Sequence, residues 1–298
     1  MPGKAKYWIR ACRPETLSIS IAPVLAGTGL AWAQTAMLDW TIFLLVFIAA
    51  ALIQMGTNLH NDSANSEPGG DAHETRLGPA RATEQGWLTV AQVRTGALSC
   101  FCLAGAAGIY LVVQGGWPIL LAGLASIAAG WSYSGGPRPI AYTPLGELFV
   151  LIFFGIVAVV GSYYLQVGSF SYTALLTGLI IGMPAAAVLA VDNYRDLHSD
   201  CRVGRRTFVI RFGLRAARIE YTLLMILPFT LLPLVTSSVA PKLTTALPFV
   251  ALPWVFFLVY RFWKELPGPV FNGYMVATAR VQLFLAVLLV VSWGLGAT

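Results

Sequence analysis

The sequence predicts an all-α membrane protein with nine spanning helices, and three observations carry that reading. Apolar residues make up 57% of the 298-residue chain and charged residues only 11%, against about a quarter charged in soluble domains. Apolar stretches near the roughly 20 residues that cross a bilayer as a helix recur along the whole chain. The Lys and Arg residues gather on one side of those stretches. A mean hydropathy of +0.72 agrees. In hydrocarbon the backbone must satisfy its own hydrogen bonds, which a helix does within a single segment.

Taken in order, the first 13 residues are short and basic. They run into a Pro-interrupted apolar stretch without a clear small-residue cleavage site, so they do not read as a cleaved signal. Candidate spans follow at about 17–37, 41–60, 89–113, 118–134, 146–166, 172–191, 219–239, 243–261 and 275–296. Gly27-Thr-Gly29 in the first span lacks a dinucleotide fingerprint and reads as a helix-packing surface. Cys12, Cys100, Cys102 and Cys201 form no CxxC pair, and the middle two suit small buried side chains.

With the N-terminus inside, the loops 61–88, 135–145, 192–218 and 262–274 are inside as well. Of nineteen Lys and Arg residues, only Lys242 then lies clearly outside. This is the asymmetry of the positive-inside rule. The net charge of +6 is therefore mostly a topology signal and not a nucleic-acid footprint. The expected location is the cell (inner) membrane, multi-pass, with the N-terminus and the active site cytoplasmic.

The acids are uneven too. Asp62, Glu67, Asp71, Glu74, Glu84, Asp192, Asp196 and Asp200 are eight of thirteen, all in two inner segments. A transporter should hold its charged site near the midplane with access to both faces; crowding on one face argues against transport. In the second segment, continuing the sixth span as a helix puts Asp192, Asp196 and Asp200 on one face, adjacent turns ~5–6 Å apart. Such a row of like charges calls for a cation, and hard divalent cations take carboxylate oxygens. The spacing equally suits a solvated helix end paired by nearby arginines. In the first segment Asn58, Asn61, Asp62 and Asn65 share a face at the inner end of the second span, where polar side chains are expensive and usually functional. Pro68-Gly69-Gly70 should then end the helix and turn Asp71 back; a plain polar helix cap is the other reading.

Arg76, Arg81, Arg205 and Arg206 flank the two segments, and guanidinium forks match the oxygens of a diphosphate. His60 and His198 raise zinc, but oxygen-rich surroundings suit magnesium better. Glu147 opens the fifth span and has two readings: a structural pair with Arg138, or a hand in placing substrate. Among the aromatics, Trp131, Tyr133, Tyr142, Phe153, Phe154, Tyr163 and Tyr164 read mostly as packing or interface residues. A few can line an apolar tunnel and stabilise an allylic cation.

The ordered motifs resemble the UbiA superfamily of intramembrane prenyltransferases, most closely its 1,4-dihydroxy-2-naphthoate polyprenyltransferase branch. Asn61-Asp62…Asn65…Gly69…Asp71 resembles the first motif, with Asn65 where an Asp is usual. Arg76-Leu-Gly78-Pro79-Ala-Arg81-Ala82 resembles the branch's RxGPxRA stretch. Arg195-Asp196…Asp200…Gly204…Arg206-Thr207 resembles the second motif. Between them lies Gly135-Gly136-Pro137…Pro139-Ile-Ala-Tyr142…Gly146-Glu147, and Asn272…Thr278-Ala279-Arg280 precedes the last span. The resemblance implies a single domain over 1–298, with helices around a central cavity beneath a cytoplasmic cap. It implies Mg2+ at Asp62, Asn65, Asp71, Asp192, Asp196 and Asp200, with Asp62, Asp71, Asp196 and Asp200 catalytic. Asn58, Asn61, Arg76, Arg81, Arg205, Arg206 and Tyr142 are then the diphosphate and substrate contacts. The implied reaction joins polyprenyl diphosphate to 1,4-dihydroxy-2-naphthoate, with loss of CO2 and diphosphate, giving demethylmenaquinone. The runner-up acceptors are 4-hydroxybenzoate and homogentisate, against which the RxGPxRA and GGPxPIAY stretches argue.

Overall fold

The structure is a computed structural model that describes residues 4–65, 77–236 and 244–295. Among these residues every regular element is a helix. In chain order they are α1 (Lys4–Cys12), α2 (Leu17–Thr35), α3 (Trp40–Ala64), α4 (Val90–Ser134), α5 (Gly146–Leu151), α6 (Ala158–Val167), α7 (Tyr172–Arg195), α8 (Leu197–Arg202), α9 (Phe208–Thr236), α10 (Leu252–Lys264) and α11 (Phe271–Gly294). A π-helical stretch, Ile152–Val157, joins α5 to α6.

Eight described helices are long and apolar enough to cross a membrane. One of them, α4, runs for 45 residues, which as a straight helix would span about twice the ~30 Å hydrocarbon core. It does not run straight. Gly116 has φ 67° and ψ −157°, backbone that side chains with a Cβ rarely adopt. Pro118 follows, a residue preorganised for the first turn of a new helix. Phe101 and Trp131, thirty positions apart, then meet with ring centroids 6.3 Å apart. The chain therefore folds back at Gly116, and α4 supplies two of the nine expected crossings.

Hydropathy misplaces some helix ends. The inner loop expected over 192–218 is largely helical: α7 continues to Arg195, α8 covers the next turn and a half, and α9 begins at Phe208. Helix α9 is broken at Gly213 (φ 84°, ψ 169°): Arg215 and Arg218 ride on its long part, and Arg211 on the short segment before the break. Hydropathy falls where the arginines begin, yet arginine is a good helix former, so the long part of α9 continues into the polar zone as far as Gly213.

Half of the bundle is solid. Helices α2, α6, α7, α9, α10 and α11 share one large buried core. Within it Tyr221 stacks on Phe262 with centroids 4.1 Å apart, and the Tyr221 hydroxyl shares a 2.9 Å hydrogen bond with Thr278. The small residues of α2 work as the sequence suggested. A Cβ on Gly27 would meet the backbone of Val159, and one on Gly29 would meet Val290. The outer faces carry exposed Trp40, Leu44, Ile109, Val113, Trp117 and Leu121, side chains that suit lipid and not water. The other half of the bundle, between α2, α3, α4, α6 and α7, is hollow.

Candidate active site

The hollow is a chamber of about 600 Å³. Its deep wall is apolar: Ala50 and Ile53 of α3, Leu111 and Ile127 of α4, Phe153 and Phe154 of the π-helical stretch, and Val188 of α7. Its mouth is polar, with Arg13, Asn58, Asn61, Arg81, Asp192, Asp196, Asp200 and Arg205 all facing the same space. Both sequence segments therefore reach one site, as their shared sidedness predicted.

The second segment keeps its helical spacing despite a break at Asp196. The Asp196 amide donates to the Asp192 carbonyl at 3.0 Å and the Asp200 amide to the Asp196 carbonyl at 2.9 Å, so all three carboxylates stay on the chamber side. Each is matched by a guanidinium. Arg195, 1% exposed, lies 2.6 Å from Asp192 and 2.6 Å from Asp196. Its Nη1 donates to Asn272 Oδ1 at 2.9 Å, and Asn272 Nδ2 donates in turn to the Leu77 carbonyl at 2.8 Å. Arg205 reaches Asp200 at 2.9 Å and Asn65 Oδ1 at 3.1 Å, and its guanidinium stands 4.8 Å over the Tyr142 ring. That bridge joins the two segments across 140 positions. Arg206 is exposed, and it meets Tyr142 through its backbone, the amide donating to the Tyr142 carbonyl at 3.0 Å.

The first segment is organised differently. Asn58 Nδ2 donates to the Cys12 carbonyl at 3.0 Å and to Thr16 at 3.1 Å, anchoring the turn before α2. Asn61 Nδ2 donates to Ser134 at 2.7 Å while its Oδ1 faces Arg13 at 3.4 Å. Asp62, 2% exposed, points toward the 81–88 loop. Its carboxylate accepts from the amides of Ala82 at 2.7 Å and Thr83 at 3.2 Å, and from the Thr83 hydroxyl. Arg81 is buried and paired with Glu84 at 2.5 Å. Asp71 and Arg76 lie outside the described residues.

Several neighbours have a place that their sequence reading left open. His60 stacks on Trp131 with centroids 4.0 Å apart, and His198 is exposed. Tyr133, Phe153 and Phe154 line the chamber, whereas Tyr163 donates to Gln34 at 2.6 Å and Tyr164 stacks on Phe170. Sequence reasoning missed Arg13, Arg195 and Asn193 as site residues. Arg13 sits at φ 51° just before Pro14, and as one of four basic residues in the first 13 it looks like a topology anchor. The Pro following it was the available sign that the chain turns there.

The donors at the mouth are carboxylate and amide oxygens, the hard set that suits Mg2+. Among the described residues no three His, Cys, Asp or Glu side chains converge into a closed cage.

A long apolar chamber within a multi-pass bundle, closed at one end by acids and arginines, defines a membrane protein built for an amphiphile with an anionic head. Residues 20–276 match the UbiA prenyltransferase family, and the chain belongs to it. It is 34% identical over 230 residues to the 1,4-dihydroxy-2-naphthoate octaprenyltransferase of Escherichia coli K12, covering 75% of this chain and 74% of that one. The protein of the same description from Mycobacterium tuberculosis H37Rv is 35% identical over 214 residues, 72% of each chain. The fold is similar to that of a solved UbiA homologue from Archaeoglobus fulgidus bound to GPP and Mg2+, with a TM-score of 0.67 at 16% identity over 97% of this chain and 99% of that one.

Proposed function

We propose that the protein transfers a polyprenyl group from polyprenyl diphosphate to 1,4-dihydroxy-2-naphthoate, releasing diphosphate and CO2 and giving demethylmenaquinone. The observation that carries this is the chamber itself, apolar along its length and lined at one end by Asp192, Asp196 and Asp200 with Arg13, Arg81 and Arg205. Such a space fits a long hydrocarbon tail with a diphosphate head. The relatives described as dihydroxynaphthoate prenyltransferases support the choice of acceptor.

Asp192, Asp196 and Asp200, which face the chamber, are the residues that would hold Mg2+, with Asn65 and Asp71 of the first segment as further oxygen donors; Asp62, expected beside them, gives its carboxylate to the 81–88 loop instead. Bound there, the metal would neutralise diphosphate charge and lower the barrier to breaking the allylic C–O bond. Arg13, Arg81 and Arg205 face the chamber and present guanidinium donors to the remaining phosphate oxygens, with Arg76 and Arg206 as further contacts from the same loops. The apolar wall keeps water from the allylic cation. The π-faces of Tyr133, Phe153 and Phe154 stabilise its charge. An aromatic carbon of the acceptor attacks C1 at the mouth. The one-sided basic residues orient the mouth, the 81–88 loop and α8 toward the cytoplasm of the cell (inner) membrane.

The test is turnover by purified protein in detergent. Diphosphate release should need Mg2+, polyprenyl diphosphate and dihydroxynaphthoate together, and 4-hydroxybenzoate and homogentisate should be poor acceptors. Equal turnover with 4-hydroxybenzoate would remove the acceptor assignment.

A further inference from the structure

Glu147 lies in the first turn of α5 and is 5% exposed. The sequence offered Arg138 as its partner; the structure turns it the other way, toward α7. Glu147 Oε1 accepts a hydrogen bond from Asn193 Nδ2 at 2.6 Å. Its other oxygen, Oε2, is buried with no partner among the described residues. A buried carboxyl with one oxygen unfilled costs free energy. Its effect therefore has to be sought in what it does to Asn193.

That bond runs from the Asn193 NH2 group to Oε1, so the amide turns its NH2 group to Glu147 and its carbonyl oxygen away. Asn193 lines the chamber. It makes no other hydrogen bond among the described residues, which leaves Oδ1 as a fixed acceptor without a protein donor. Its position is informative. It follows Asp192 of the acidic rim directly. It also lies one helical turn after Leu189, which lines the apolar wall and packs on Gly146, a Cβ there falling 3.0 Å from Leu189 Cδ2. Phe149 lines the wall on the α5 side. Asn193 thus stands where polar mouth and apolar wall meet.

An ionised diphosphate offers lone pairs and no donors, so a carbonyl oxygen held toward the chamber repels it. A hydroxylated aromatic ring offers the opposite: an apolar plate with O–H donors on its edge. We propose that Asn193 Oδ1 accepts a hydrogen bond from a ring hydroxyl of the aromatic acceptor, and that Glu147 is the positioning residue that holds the amide in that sense. The inference rests on the prenyl-transfer reading above and assigns the acceptor's place within it, between Asn193, Leu189 and Phe149. The bond sets which edge of the ring faces the mouth, and hence which carbon meets C1 of the prenyl group.

Steady-state kinetics of the full-length protein test this with Glu147→Gln and Asn193→Ala. Glutamine has nearly the same shape but can donate to Asn193 Oδ1, letting the amide reverse. Both variants should raise KM for the acceptor by about tenfold, the loss of one hydrogen bond. KM for polyprenyl diphosphate and the Mg2+ dependence should move less than about twofold. Acceptor analogues lacking either one of the two ring hydroxyls separate this from general damage. Wild type should lose affinity for one of the two analogues, and Asn193→Ala should no longer distinguish that analogue from the full acceptor. If the variant still discriminates, if both substrates' KM values rise together, or if the Mg2+ dependence shifts, the assignment is overturned. Turnover by wild type with a different hydroxylated ring alone would remove the acceptor proposed above, and the same KM split measured on that ring would still decide the role of Asn193.

Discussion

Gly155 is a point of close approach between the π-helical stretch and α7. An alanine there would place its Cβ 2.5 Å from the Gly178 carbonyl oxygen and 2.7 Å from the Gly182 Cα. Carbon atoms settle at about 3.5 Å, so the two segments would have to separate by roughly 0.8 Å at this crossing. Both obstacles are backbone, and no side chain can swing aside to absorb the change. Overpacking of this kind costs about 1–3 kcal/mol. The strain also reaches the site: Phe153, Phe154 and Val157 flank Gly155 and line the chamber, and α7 carries Asp192 further along. Gly155→Ala should therefore lower the melting temperature in detergent by several degrees and reduce turnover. Gly161→Ala is the control, six residues further along the same span with nothing within 4 Å of its Cβ. It should be neutral or slightly stabilising, because alanine favours a helix interior over glycine by up to ~1 kcal/mol. Because Gly161 lines the chamber, stability is the deciding readout: equal melting temperatures of the two variants would refute the close-approach argument.

Replacing Asp62 with Ala removes the acceptor of two backbone amides and the Thr83 hydroxyl; it should cost about 2–3 kcal/mol and make the 81–88 loop a new site of proteolytic cleavage. Arg195→Gln leaves Asp192 and Asp196 without their guanidinium and weakens the tie through Asn272 to Leu77. A loss of about 1–3 kcal/mol, read as a lowered melting transition, is expected, because Arg195 is buried but Asp192 and Asp196 are partly open to water. Asp196→Ala should reduce diphosphate release at least ~100-fold if the carboxylate holds the metal; full activity would remove it from the site. Chelation should abolish turnover, with recovery on adding Mg2+. It should leave the melting temperature nearly unchanged, because Arg195 and Arg205 already balance the rim carboxylates without metal.

Much of the fold is legible in the chain because hydropathy and charge placement act locally. Each apolar run needs only its own length and composition to become a spanning helix, and the basic residues flanking it set its direction. The reversal at Gly116 was legible as a short polar interruption, Gln114 to Pro118, even though one continuous helical assignment covers it. Helix ends were less legible: Arg215 and Arg218 look like loop residues to a hydropathy reading but extend the long part of α9 beyond the apolar zone, as far as the break at Gly213. The Gly178 and Gly182 crossing was passed over, since glycines four apart mean close packing only when a partner backbone arrives, here that of Gly155.

The sequence by itself determined the membrane-spanning helical class, the one-sided placement of charge, the two acidic segments and the resemblance to the UbiA family. These follow from local composition and from motifs read in order. Only the tertiary structure decided which partner each polar group takes. It set Arg205 between Asp200 and Asn65, turned Asp62 to the 81–88 loop, brought Arg13 into the chamber and gave Glu147 to Asn193 instead of Arg138. The physical reason is rotation. The sequence says how far along a helix a side chain lies, but the neighbour it faces depends on how that helix is turned and packed against others. A turn of one residue, about 100°, is enough to move a carboxylate from the chamber rim to the wall behind it.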